Sequence, residues 1–168
     1  MILRNARKEE LSFIREQRVQ AYEEHSSNIP TEHWAALKKA ISSDADQQEG
    51  VDLIVAEVNG VILGSVALFP AKTDAYEGYV DELDYPEIRV LAVSQEARGK
   101  GVASALIDEC IARTKAKGYD YIGLHTGEFM KDAIALYAKY GFERMPQYDF
   151  EPANDGIIVK AFRKKIHG

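Results

Sequence analysis

The stretch Arg98-Gly99-Lys100-Gly101-Val102-Ala103-Ser104 joins two cations and two glycines to the start of an apolar run. A strand that feeds such a loop into a helix aims several backbone N–H groups at one point. The helix dipole adds partial positive charge there, which suits a phosphate or pyrophosphate. Glycine lets the backbone approach a ligand with no Cβ in the way. A second constellation lies just before it. Asp74, Glu77, Asp81, Glu82, Asp84 and Glu87 occur with no Lys or Arg among them, and Tyr76, Tyr79 and Tyr85 are interleaved. Carboxylates beside aromatic faces suit a cationic amine, although a run of charge is also what a solvated loop looks like.

Two familiar phosphate loops fit the first stretch badly. The nucleotide-triphosphate loop needs two glycines four residues apart, then Lys and Ser or Thr. Here Lys100 is followed by Gly101, and the first glycine position falls on Ser94. The dinucleotide fingerprint needs a third glycine, where this chain has Ser104. It also needs an acidic residue at the end of the next strand, whereas Asp120 precedes the apolar Tyr121–Leu124.

The elements that must position these residues read as mixed α/β. Ile2–Arg4 opens as a short strand. Lys8–Glu24 and Pro30–Ile41 carry helical apolar spacing, the second with Trp34, Leu37 and Ile41 on one face. Asp52–Val58 and Val61–Phe69 flank Asn59-Gly60, the strongest short signal for a two-residue hairpin. Residues 70–86 form a long connection. Glu87–Val93 then reads as a central strand, Gly101–Lys117 as a helix stopped by Gly118, and Tyr121–His125 as a strand. Phe129–Tyr140 reads as a helix capped by Gly141, with Glu143–Phe150 and Gly156–Phe162 as the last two strands.

The loop also matches a third pattern: Gln or Arg, two residues, Gly, one residue, then Gly or Ala. Asp132–Phe142 adds a helix that ends in Tyr-x-x-x-Gly-Phe at Tyr137–Phe142. Together these motifs resemble the GNAT N-acetyltransferase superfamily, well over residues 50–150 and by pattern alone before that. The resemblance implies a single domain over residues 1–168. Its central sheet is mixed and mostly antiparallel, of about seven strands, flanked by about four helices. It implies acetyl-CoA as cofactor, held by the backbone of Leu91, Ala92 and Val93 and wrapped at the pyrophosphate by Arg98, Gly99, Lys100, Gly101, Val102, Ala103 and Ser104. The implied reaction is direct attack of a primary amine on the thioester in a ternary complex. The alternative is a module that senses acetyl-CoA without turnover.

On this reading Tyr137 is the general acid for the leaving thiolate, since an ordinary phenol stays protonated at neutral pH. Glu87, where several members place a carboxylate, is the general base. Asp81, Glu82 and Asp84 are candidate acceptor contacts, and His125, which ends a strand near them, is a further candidate for which a structural reading is preferred. Met130 stands where many members carry Asn.

Composition narrows the field. The chain has 168 residues, 46% of them hydrophobic, enough for a real core. A net charge of −6 argues against nucleic acid as partner. No apolar run is long enough for a membrane span, and the first residues lack a signal-peptide core. Cys110 is the single cysteine, which excludes an internal disulfide and fits a cytoplasmic protein. The four histidines have no metal-ligand spacing. Arg163-Lys164-Lys165 reads as a solvated basic tail. The expected partner is a small amine or a peptide amine, and a homodimer is common in the family.

Overall fold

The computed structural model describes residues 1–72 and 83–166. Seven strands form one sheet: β1 Ile2–Asn5, β2 Asp52–Val58, β3 Val61–Phe69, β4 Glu87–Val93, β5 Tyr121–Gly127, β6 Glu143–Arg144 and β7 Val159–Lys165. Their order is β1-β2-β3-β4-β5-β7-β6. Four α-helices accompany them: α1 Leu11–Glu23, α2 Thr31–Ile41, α3 Val102–Ala116 and α4 Lys131–Lys139. By internal packing the chain divides into two compact units. One holds Met1–Leu68 and Arg89–Cys110, the other Phe69–Ile88 and Ile111–Gly168.

In the first unit, β1 and β2 pair antiparallel with Ile2 opposite Glu57, and β2 pairs antiparallel with β3. The turn between β2 and β3 is the expected one. Asn59 and Gly60 take φ of 52° and 81°, the two left-handed positions that a type I′ turn requires. Ile54, Val55, Val66, Ala67 and Leu68 are completely or nearly completely buried, so β2 and β3 are core on both faces. Ile14 and Tyr22 of α1 and Leu106, Ile107 and Cys110 of α3 complete this core.

Two buried charges interrupt that apolar core. Arg18 of α1 donates from Nη1 to the Ile41 carbonyl at 2.7 Å and from Nη2 to Asp46 Oδ2 at 3.1 Å. Arg15, one helical turn earlier, donates to Asp46 Oδ1 at 2.7 Å. Asp46 lies in a short 3-10 turn, Asp44–Gln47. One carboxylate thus ties α1 to the chain that follows α2. Burial presses the Arg18 guanidinium below its usual value, against the opposing pull of Asp46. On α2 the buried residues are His33 and Ile41, while Trp34 is half exposed, so the inward face is rotated from the expected one.

In the second unit, β4 runs parallel to β5, with Glu87 opposite Gly123 and Ile88 opposite Leu124. β5 pairs antiparallel with β7 from Tyr121↔Lys165 to Gly127↔Val159. The last two strands depart from expectation. β6 stops at Arg144, because Pro146 lacks an N–H and starts a 3-10 turn over Pro146–Tyr148. Only a single bridge, Phe150↔Val159, resumes the pairing. β7 begins three residues late and continues through Lys165, so Arg163-Lys164-Lys165 is a paired strand rather than a loose tail. The Arg163 guanidinium lies 4.1 Å from the centre of the Tyr121 ring and 5.8 Å from that of Tyr85, cation–π contacts that the bare charge run does not announce. α4 starts at Lys131 rather than Phe129, because Met130 N–H closes a turn onto the Gly127 carbonyl at 3.0 Å.

No helix among the described residues is long and apolar enough to cross a membrane. None of their His, Cys, Asp and Glu side chains form a group of three or more that could hold a metal ion.

Candidate functional site

In the first unit the end of β4 runs through a 3-10 turn, Gln95–Ala97, into the glycine loop and α3. Ala97 is buried and fixes the turn, while Arg98, Gly99, Lys100 and Gly101 are exposed. Gly99 and Gly101 take φ of 78° and 80°, a region that L side chains avoid. The first helical bond closes from Ala105 N–H to the Gly101 carbonyl at 3.0 Å. The amides of the first turn, those of Val102 and Ala103 among them, therefore have no acceptor within the helix. Exposed cations, left-handed glycines and a helix start together make a cradle for an anion. Arg98 is not idle there: it is ion-paired with Glu24 next to the end of α1. An anion at the loop has to compete with that carboxylate for the guanidinium.

Leu91 and Val93 are half-buried and Ala92 is buried. Two features of this strand were invisible in the sequence. Val90 sits at φ 52°, a costly place for a β-branched residue and a local irregularity in the strand. Gly64 of β3 lies against the strand from the other side. A Cβ there would meet the Ala92 carbonyl oxygen at 2.7 Å and Val93 Cα at 3.3 Å. Gly64 is required for close approach to β4, not for an unusual φ. Gly64→Ala is expected to destabilise the fold by about 1–3 kcal/mol, because backbone rather than a side-chain tip must yield. Gly99→Ala, with nothing within 4 Å of the new methyl, is expected to cost only about 1–2 kcal/mol through its positive φ. Thermal melts of the two variants check the ranking.

In the second unit Glu87 is buried at 6% exposure. Its Oε2 is 2.9 Å from His125 Nδ1, and His125 Nε2 is 3.0 Å from the Tyr148 carbonyl. Register explains the meeting. Glu87 stands opposite Gly123, and His125 lies two residues on, on the same face of β5. The imidazole is 1% exposed and both its nitrogens face protein atoms. His125, a candidate acceptor contact for which a structural reading is preferred, therefore has its side chain packed between Glu87 and the Tyr148 carbonyl.

Tyr85 departs from expectation. It is buried beside Tyr121, with ring centres 6.3 Å apart, and the cation near its ring is the protein's own Arg163, 5.8 Å from the ring centre. Burial, reinforced by the Glu87 charge, pushes its phenol up to about 12. Asp84 is exposed. Asp81 and Glu82, with Asp74 and Glu77, lie outside the described residues. The flanks of that segment are joined by a bond from Lys72 N–H to the Leu83 carbonyl at 2.7 Å.

Tyr137 lies on α4, 5% exposed, with its ring edge-on to Phe142 at 5.7 Å. Gly141, at φ 88°, turns the chain so that Phe142 packs back on the helix. Met130 caps α4, and its sulfur accepts from the Thr126 hydroxyl at 3.5 Å.

A glycine loop that leads from β4 into α3, in a seven-stranded mixed sheet with four helices, is the arrangement that the resemblance implied. The profile of the Acetyltransferase (GNAT) family matches residues 11–142. This chain belongs to the GNAT acetyltransferase family. It is 32% identical over 110 residues to N-acetyltransferase 8 of Rattus norvegicus, a match over 66% of this chain and 46% of that protein. The matches span less than half the length of the curated relatives, between 35% and 47%. Among solved structures, a histone acetyltransferase HPA2 and related acetyltransferase from Corynebacterium glutamicum superposes with a TM-score of 0.71 at 21% identity, covering 97% of this chain and 94% of that one. A putative acetyltransferase from Salmonella typhimurium, solved with its cofactor acetyl-CoA, gives 0.63 at 19% identity, covering 100% and 95%. These likenesses show the fold.

Proposed function

We propose that this protein transfers an acetyl group from acetyl-CoA to a primary amine by direct attack in a ternary complex. The observation that carries this reading is the loop Arg98–Ser104, where two left-handed glycines and two exposed cations precede the first turn of α3. Those residues fit the pyrophosphate of CoA, and the backbone of Leu91, Ala92 and Val93 would hold the arm that follows it. Acetyl-CoA supplies the activated acetyl thioester. Glu87 takes the proton that the acceptor ammonium must lose, directly or through a water. Tyr137 Oη gives its proton to the leaving sulfur. General acid and base groups of this kind contribute about 10²- to 10⁴-fold each.

The acceptor is a small amine or a peptide amine. The acidic segment favours a cationic small molecule, polyamine-like or an amino sugar, with Asp81, Glu82 and Asp84 as its contacts. Cys110, the single cysteine, is buried and fits work in a reducing cytoplasm.

The test is thiol release from acetyl-CoA against polyamines, aminoglycosides, amino acids and short peptides. Release with one class establishes the enzyme and narrows the acceptor. Tight acetyl-CoA binding by calorimetry, with no release from any class, would point instead to a sensor. Absence of binding would overturn the assignment of Arg98–Ser104. With a reactive amine in hand, neutralising Asp81, Glu82 and Asp84 together should raise its KM. An unchanged KM excludes the acidic segment from acceptor binding.

A further inference from the structure

A groove of about 670 Å³ opens in the first unit between α1, the start of β3 and the turn that follows β4. Its volume is that of a ligand site. None of the residues assigned to acetyl-CoA lines it.

Three kinds of group meet there. Phe13 of α1 and Val61 of β3 are 52% and 54% exposed, two of the four large apolar side chains left so open among the described residues. Covering them with another apolar group is favourable. Glu16 and Glu23 of α1 and Glu96 of the turn are exposed carboxylates. None of the three side chains has an ion-pair or hydrogen-bond partner among the described residues, and no Lys, Arg or His lines the groove. Arg98, two residues after Glu96, does not neutralise them, because it is paired with Glu24.

Gln17 adds a directed acceptor. Its Nε2 donates to the Ile62 carbonyl at 2.9 Å, and since a carbonyl only accepts, this contact fixes which way the amide faces. The other end, Oε1, is buried and has no donor. Buried polar atoms are normally paired, so an N–H is what this wall lacks.

We propose that the groove docks an extended segment of a partner protein, one that carries an apolar side chain followed closely by Lys or Arg. The apolar side chain covers Phe13 and Val61. The cations meet Glu16, Glu23 and Glu96, and an N–H of the segment pairs with Gln17 Oε1. Size and shape favour a peptide over a small polyamine. From Phe13 to Glu23 the α1 wall runs about 15 Å, which an extended chain spans with about five residues. A polyamine has the charge but offers no side chain to the two apolar groups. Docking here does not require that the partner be acetylated, so it stands apart from the acyl-transfer reading.

The probe is a fluorescent pentapeptide of one leucine, one glycine and three arginines, blocked at both ends so that it carries no amine to acetylate. Fluorescence anisotropy with the whole protein reads its affinity. Saturable binding is expected, weakened about 3- to 100-fold when Glu16→Gln, Glu23→Gln and Glu96→Gln are combined, the range for three exposed ion pairs. Phe13→Ala should weaken it as well, and so should replacing the peptide's leucine by glycine. The altered side chains are all exposed, so the variants should fold, and thermal melts check that they do. ¹H–¹⁵N NMR locates the peptide, with shifts expected at the Gln17 side-chain amide and the Val61 backbone.

No binding, or binding untouched by the triple variant, would overturn the proposal. Binding lost instead on neutralising Asp81, Glu82 and Asp84 would move the peptide to the acidic segment and overturn it equally. Spermidine that binds as tightly as the peptide, with Phe13→Ala making no difference to either, would make the groove a polyamine site and end the peptide reading.

Discussion

Tyr137→Phe is expected to lower kcat by about 10²- to 10⁴-fold while the fold and the affinity for acetyl-CoA persist. That loss corresponds to about 2.7–5.5 kcal/mol of transition-state stabilisation. The substitution separates chemistry from packing because the ring stays. Tyr137 is buried against Phe142 in an edge-on pair, and phenylalanine keeps that contact. Losing one hydroxyl alters stability by only about 1 kcal/mol. A thioester with a more acidic leaving thiol should recover much of the lost rate, since it needs less proton donation. Steady-state rates with the two thioesters, alongside a thermal melt, check this. Undiminished kcat in Tyr137→Phe would return Tyr137 to packing alone.

Asp46→Asn is expected to reduce the unfolding free energy by about 3–5 kcal/mol, the cost of leaving a buried charge without its partner. At this chain length that is a fall in Tm of roughly 6–20 °C. Asp46 is 4% exposed and Arg18 2%, so water cannot substitute for the lost carboxylate. Arg18 is already short of one bond, because its Nε has no partner in the structure. Replacing both buried members, as in Arg18→Met with Asp46→Leu, removes the buried charge and its counterion together and leaves Arg15, whose side chain is 23% exposed, to solvent. The double variant should be more stable than Asp46→Asn, since burying an ion pair gains little over burying apolar groups. Denaturant titrations of the single and double variants measure the difference. A double variant no more stable than Asp46→Asn would mean that Asp46 acts through its local turn and not through Arg18.

The elements of this protein were legible in its sequence where local chemistry decides them. Asn59-Gly60 specifies a left-handed turn whatever surrounds it, and the hairpin strands appear with the expected bounds. β4 also has the expected bounds from its apolar run, and the glycine loop follows because left-handed backbone positions that favour glycine are written residue by residue. Burial and partnership are not written that way. A lone histidine at the end of a strand gives no sign that a parallel register will set it beside Glu87, or that the Tyr148 carbonyl will close its other side. Arg163 in a basic run looks solvated until β7 pairs with β5 and brings Tyr121 beneath it. Gly64 and Val90 read as ordinary strand residues until β3 and β4 approach. Thus the sequence by itself determined the element order, the hairpin and the glycine loop, since each rests on short-range sterics and periodicity. The tertiary structure alone decided which charged and aromatic side chains lose water and to whom they turn, because those choices depend on contacts between residues far apart in the chain.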